Sequence, residues 1–310
     1  MRALRSHTRG GAETLVYEDA PEPTVGADDV LIEVHAAAIT FHEFMWPETW
    51  EAADGSDRTP IIPSHEVSGV VRAVGPSVTR FKVGDEVFGR IAFNRDGAAA
   101  EYTVAAESDL AHRPLALTHV ESAAIPLAAL TAWQAFVDHS NVQAGDTVTV
   151  LGAGGGVGVY AVQVAKLLGA TVNATSGAGD LDFVTALGAD LVVDYRDSES
   201  MKQLPLADVV VDTVGGTVLE AAVDLVRPGG RLITLSAPPA PELGEGRDID
   251  VIFFIVRESP EQLEKIAALF NEGKLRPIVA DVYSLEQGRS AYEDGPSAKN
   301  PGKVVITVKD

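Results

Sequence analysis

Segment 147–158 constrains this chain most. Residues 147–151 (TVTVL) form an apolar run of strand length. Gly152, Gly154, Gly155, Gly156 and Gly158 come next, and a helical stretch over 157–168 follows. Glycines at such a junction let backbone approach backbone. The first turn of the helix offers N–H groups without partners and the positive end of a dipole, a cradle suited to a pyrophosphate. The spacing Gly152-x-x-Gly155-x-x-Gly158 departs from a strict G-x-G-x-x-G, and a bare glycine cluster also serves a tight structural turn. The setting favours the binding role. Short apolar strands recur at 171–175, 191–195, 209–214 and 232–236, with helical stretches between most of them. That rhythm specifies an α/β architecture, a parallel sheet covered on both faces.

The first third has a different period. Residues 29–36, 67–74, 83–88 and 100–104 read as half-buried strands, separated at short intervals by Gly and Pro, which suggests a small barrel or sandwich. Residues 121–138 are helix-rich, with Pro126 as a break. The run 251–256 (VIFFIV) is continuously apolar and reads as a buried strand. Ser259-Pro260-Glu261-Gln262 then opens a helix with a capping residue, a proline in the first position and a capping-box glutamine; Gly273 ends it. From about residue 276 the chain returns to β, ending in 304–308.

Composition narrows the chemistry. There is no cysteine, which excludes disulfides, thiolate catalysis and cysteine-ligated metal. A net charge of −21 repels phosphates and anionic membranes, so neither nucleic acid nor membrane is an expected partner. No apolar run approaches the roughly 18 residues of a membrane span. Residues 1–5 run into a strand-like pattern rather than a signal peptide, so the expected location is cytoplasmic. The strand at 171–175 ends in Thr175, Ser176 and Gly177, where NAD-binding sheets usually place an acid; hydroxyls and free amides would accept a 2′-phosphate that a carboxylate would repel.

At this point the chain resembles a known family. Arg2-Ala3, Gly10-Gly11 and residues 29–34 are similar to the opening of the medium-chain dehydrogenase/reductases. Pro60, Pro63-Ser64-His65-Glu66, Gly69 and Val71 look like their Pro-Gly-His-Glu signature, with Ser64 in place of Gly. Residues 83–87, 100–102, 125–133, 212–216, 228–231, 273–277 and 302–305 follow in family order, the segment 125–133 resembling the zinc-free quinone oxidoreductases. The likeness runs through nearly all 310 residues. It implies a GroES-like β-rich catalytic domain over 1–121, a Rossmann-type doubly wound nucleotide-binding domain over 122–275, and a C-terminal return to the catalytic domain over 276–310. It also implies a homodimer through the strand near 251–256.

The resemblance also suggests site residues. Thr40 falls where zinc alcohol dehydrogenases carry their first cysteine ligand, and only His65 persists of that ligand set, so no metal is expected. Thr131 would lie beside the nicotinamide. His42 occupies the place of a proton-relay hydroxyl and, titrating near neutrality, is a candidate acid; Glu43 would point elsewhere if the segment is extended. Both His42 and His65 also read as hydrogen-bonded structural imidazoles. Phe41, Phe44, Met45, Trp46 and Trp50 could line an apolar slot or belong to the core. The expected cofactor is NADPH, held by Gly152, Gly155, Gly156, Val157, Gly158, Thr175, Ser176, Gly177, Tyr195, Arg196, Ser236 and Phe254. The activity implied is hydride transfer to a quinone or an α,β-unsaturated carbonyl. A pathway-specific enoyl reductase and a non-catalytic NADPH-binding sensor or structural protein are the alternatives.

Overall fold

The computed structural model describes residues 1–52, 54–295 and 300–309. They form two compact units, Met1–Leu127 with Glu258–Asp310, and Ala128–Arg257.

The first unit is β-rich and GroES-like. Its spine is the strand Asp29–Ala38, which pairs antiparallel with Glu66–Val74, Tyr102–Ala106 and the C-terminal Lys303–Thr307. Side chains of a strand alternate between faces, and here Val30, Ile32, Val34 and Ala36 are wholly buried while Leu31 and His35 are half-buried. The inner face meets Val67, Val71, Val87, Ile91 and Leu110. Each such aliphatic side chain contributes about 1.5–3 kcal/mol by leaving water. The strand expected over 83–88 instead runs Glu86–Arg90. Residues 82–85 are a turn, closed by the Lys82 N–H on Asp85 Oδ2 at 3.0 Å and by Gly84 at φ +93°, which a strand cannot hold.

The helix Pro260–Asn271 also belongs to the first unit. Ser259 caps it by accepting the Gln262 N–H, and Pro260 opens it, as the sequence foretells. It buries Leu263, Ile266, Ala267 and Phe270 and packs on the strand Leu110–His112. The division between units therefore falls at 257/258 rather than at 275/276. At the other end it falls at 127/128 rather than 121/122, because the short helix His119–Ala123 packs Ala123 and Ala124 on Ala36, Ala38 and Val305.

The second unit is a six-stranded, all-parallel sheet of Rossmann type. Its spatial order is Leu191–Asp194, Thr171–Ser176, Thr147–Leu151, Ala207–Asp212, Val226–Thr234, Ile249–Phe253. Numbered within this unit, that is 3-2-1-4-5-6, the doubly wound order, whose direction reverses beside the strand leading into the glycine turn. The strand expected at 251–256 is Ile249–Phe253, at one edge of the sheet. Among the described residues no helix is long and apolar enough to cross a membrane.

Candidate active site

In the second unit the strand Thr147–Leu151 delivers the chain into a turn that only small residues permit. Gly152 has φ +80°. Its N–H donates to Thr175 Oγ1 at 3.1 Å, and the Ala153 N–H donates to the Thr175 carbonyl at 2.9 Å. Thr175 thus fastens the turn to the neighbouring strand. A Cβ on Gly158 would stand 2.2 Å from the Gly152 carbonyl oxygen and 2.7 Å from Ala153 Cα, so the helix Gly158–Leu167 presses on the turn as only glycine allows. The N–H groups of Gly156, Val157 and Gly158 have no acceptor among the described residues. Backbone donors at the start of a helix suit an anion.

The end of the second strand brings hydroxyls and a cation together. Ser176 is buried, and its carbonyl takes the Tyr195 N–H at 3.1 Å. The Arg196 guanidinium lies over the Tyr195 ring, 4.5 Å from its centroid. A Cβ built on Gly177 would stand 3.0 Å from Arg196 Nη1, so the absence of a side chain there leaves the cation beside the strand end. Thr175, Ser176, Gly177, Tyr195 and Arg196 therefore gather in one place. Ser236 is exposed and stands over Gly215, in the turn that the buried Asp212 closes by accepting the N–H groups of Val214 and Gly215. Phe254 has one ring face covered by His139 at 4.1 Å, and burial lowers the pKa of that histidine. Thr131 is buried on the helix Pro126–Gln134. His139 and Gln134 carry no sequence signal. The Gln134 amide clamps the Arg257 backbone, donating to its carbonyl at 2.8 Å and accepting its N–H at 3.1 Å.

In the first unit the segment after Ile39 is not extended. Residues Phe41–Met45 form a 3₁₀ turn, which changes where the side chains go. His42 is exposed, and its side chain bonds to none of the described residues. Glu43, which an extended segment would have turned elsewhere, is wholly buried: its carboxylate takes His65 Nδ1 at 2.8 Å, the Ser64 N–H at 3.0 Å and the Tyr292 hydroxyl. Burial, and then the Glu43 charge, push the Tyr292 phenol well above its ordinary pKa, so it stays a donor. His65 Nε2 faces the Arg95 carbonyl at 3.2 Å; a carbonyl only accepts, so that nitrogen carries a proton. Ser64 sits at φ +69°, a left-handed conformation that costs a non-glycine residue roughly 1–2 kcal/mol. The Ser64 hydroxyl at 3.0 Å from the Tyr292 oxygen and the Ser64 N–H on Glu43 offset that cost.

Thr40 starts the 3₁₀ turn, and its neighbour is Lys303 from the C-terminal strand. Lys303 Nζ donates to the Ile39 carbonyl at 2.7 Å and to Thr40 Oγ1 at 3.2 Å, and it pairs with the wholly buried Glu66, whose other oxygen takes the Leu127 N–H at 3.0 Å. Two buried contacts, the Glu43–His65 hydrogen bond and the Glu66–Lys303 ion pair, thus tie neighbouring positions of one signature to one turn and to the C-terminal strand. The aromatic cluster divides. Trp50 is core, donating its indole N–H to the Phe44 carbonyl at 2.8 Å, while Met45 is 77% exposed. Trp46 meets Phe93 at a tilt, ring centroids 4.6 Å apart, and the Phe93 ring also meets His65 and the buried guanidinium of Arg90. Among the described residues no group of three or more His, Cys, Asp or Glu is arranged to hold a metal ion.

Comparison with known proteins agrees with this construction. A model of the alcohol dehydrogenase GroES-like domain matches residues 26–115, and a zinc-binding dehydrogenase model matches residues 187–306. The 2-methylene-furan-3-one reductase of Solanum lycopersicum is 34% identical, over 99% of this chain and 79% of that protein. A solved NAD-dependent alcohol dehydrogenase is 34% identical with a TM-score of 0.90, over 99% of this chain and 100% of the other. The quinone oxidoreductase of Coxiella burnetii is 26% identical with a TM-score of 0.91, over 100% and 99%. The doubly wound sheet with its glycine turn, the GroES-like unit and these likenesses together make the chain a member of the medium-chain dehydrogenase/reductase superfamily, an oxidoreductase on a fold that binds a nicotinamide cofactor.

Proposed function

We propose that the protein is a zinc-independent, NADPH-dependent reductase of α,β-unsaturated carbonyls and quinones. One observation carries this reading: where relatives described as zinc-binding would need ligands, this chain places a lysine. The Lys303 ammonium is bonded to Thr40, and both ring nitrogens of His65 already have partners. A cation and an engaged imidazole make a poor ligand set. Without a Lewis acid, an acceptor whose double bond is already electron-poor suits the site better than a simple alcohol.

The residues present fit the dinucleotide. Gly152, Gly155 and Gly158 shape the cradle, and the Gly156 and Val157 N–H groups, without acceptors among the described residues, are available to an anion. Arg196, beside Gly177 and Tyr195, supports the 2′-phosphate and hence NADPH over NADH. Bound there, the cofactor supplies a hydride. The open edge strand Ile249–Phe253, followed by Ile255 at 62% exposure, favours a homodimer, since an uncovered apolar edge invites pairing.

The test is a turnover screen of enones and quinones with NADPH and NADH after exhaustive chelation. The expected result is acceptor-dependent oxidation of NADPH that chelation leaves intact, with NADPH bound roughly tenfold to a hundredfold more tightly than NADH by calorimetry, as one charge-assisted contact supplies. Turnover that requires added zinc, or equal affinity for the two cofactors, would refute the corresponding part.

A further inference from the structure

We propose that Thr40 protonates the oxyanion of the reduced acceptor, and that Lys303 is the positioning residue that aims and polarises its hydroxyl. The proposal rests on the reductase reading above and names the proton donor of that site. Thr40 stands in the capping position of the 3₁₀ turn Phe41–Met45, where a threonine ordinarily turns its oxygen back onto the backbone, yet its side chain makes no cap hydrogen bond. That oxygen instead receives a proton donor, the Lys303 ammonium at 3.2 Å. Lys303 cannot swing away, because it also holds the Ile39 carbonyl at 2.7 Å and is paired with Glu66 in the interior.

The consequence follows from the donor inventory of a hydroxyl. An ammonium can only donate, so it occupies a lone pair of Oγ1 and leaves the threonine's own O–H proton for another acceptor. Among the described residues that proton has none. Thr40 is half-buried, so its hydroxyl is not sealed in the core as Glu66 and Lys303 are. The pattern is a hydroxyl on a half-buried side chain, backed by a buried cation. Such a donor suits an oxygen that gains negative charge during reaction.

The step balances. Once hydride has reached the β-carbon of an enone, the charge rests on the carbonyl oxygen. The Thr40 O–H bond breaks and its proton forms the enol O–H, while Oγ1 takes a proton from Lys303 Nζ. Thr40 then takes a proton from water and passes one back to the buried amine, and the enol becomes the ketone. His42, exposed and unbonded, is not required.

The experiment compares the parent with Thr40→Val, which keeps shape and leaves the Lys303–Glu66 pair intact, and with Thr40→Ser, which restores the hydroxyl. Lys303→Met combined with Glu66→Gln removes the cation without stranding a charge. Two readouts are taken: steady-state reduction of one enone and one quinone, and cofactor-free titration of a nitrophenolate, an oxyanion mimic whose absorption shifts on binding. Thr40→Val should slow the enone roughly a hundredfold, within the range for a lost catalytic acid, and the quinone by less, because reduced quinone oxygens take protons from water. Thr40→Ser should recover most of both. Nitrophenolate binding should weaken on the order of tenfold in Thr40→Val and in the Lys303→Met/Glu66→Gln protein. An enone rate unchanged in Thr40→Val, or a Thr40→Ser no better than Thr40→Val, overturns the proposal. If the parent reduces no enone at all, the reductase reading fails, and the nitrophenolate titration still decides whether Thr40 and Lys303 bind an oxyanion.

Discussion

In the second unit the candidate cofactor cradle is made almost entirely of backbone, whereas in the first unit the candidate site hangs on four ionisable side chains buried as two pairs. The two constructions are vulnerable in opposite ways. A backbone cradle is indifferent to most side-chain chemistry and is closed by a single misplaced methyl group. A pair of buried charges tolerates modest changes of shape, but the loss of one partner leaves the other desolvated and alone.

The largest effect should come from the methyl group. In Gly158→Ala the new Cβ would meet the Gly152 carbonyl oxygen at 2.2 Å, so the turn has to move. Calorimetry should find nicotinamide dinucleotide binding weakened by at least about a hundredfold, near 2.7 kcal/mol. Gly179→Ala, where a Cβ meets nothing within 4 Å, is the matched control. Parental affinity in Gly158→Ala would mean that the cradle does not depend on this close approach.

The first unit should respond differently. Glu43→Ala removes the acceptor shared by His65, the Ser64 N–H and Tyr292, and breaking a buried pair typically costs about 3–5 kcal/mol. Urea unfolding at neutral pH reads that loss, and Glu43→Gln, which keeps one acceptor oxygen, should lose less. Dinucleotide affinity of the folded variant should stay at the parental value. If it drops with stability, the contrast between a backbone site and a charge-pair site does not hold.

The same contrast explains what could be read from the sequence. The glycine turn is legible because its steric demand is local: strand, glycines and helix lie within a dozen positions. The alternation of residues 29–36 and the Ser259-Pro260 helix start are local for the same reason. The charge pairs are not, since Tyr292 is 249 positions from Glu43 and Lys303 is 263 from Thr40. Lys303 did leave a trace, a lysine heading the buried run Val304-Val305-Ile306, where a cation needs a carboxylate partner. Glu43 would point elsewhere only if its segment were extended, and the 3₁₀ turn over Phe41–Met45 removes that condition; His42 drew notice for its family position, not for its backbone. Nothing local in Phe41–Met45 announces that turn; the buried partners of Glu43 hold it, and they come from distant strands and helices.

A third polar cluster in the first unit sharpens the comparison, because its histidines are kept neutral rather than paired with a carboxylate in hydrogen-bond contact. His35 and His119 pack at a tilt with ring centroids 4.3 Å apart, and His119 Nδ1 lies 2.8 Å from Ser68 Oγ. Burial, helped by His35 and Arg113 and opposed by Glu86, lowers His119 from an ordinary 6.5 to about 4. His35 is lowered too, chiefly by burial, with Glu33 and Glu86 opposing and Lys309 and Arg72 assisting. The sign follows from proton counting. Below the ordinary histidine range the unfolded chain binds a proton that the folded protein refuses, so stability is complete above about 6.5 and is lost as pH falls towards 4. The pair is only partly buried, so solvent screening reduces the effect to about 2 kcal/mol or less. Urea midpoints of the parent and of His119→Gln, taken at neutral pH and near pH 4.5, isolate this contribution from the titration of the carboxylates common to both. The parent should lose more stability on acidification than His119→Gln. Equal losses would place the acid sensitivity elsewhere and leave the two histidines as packing alone.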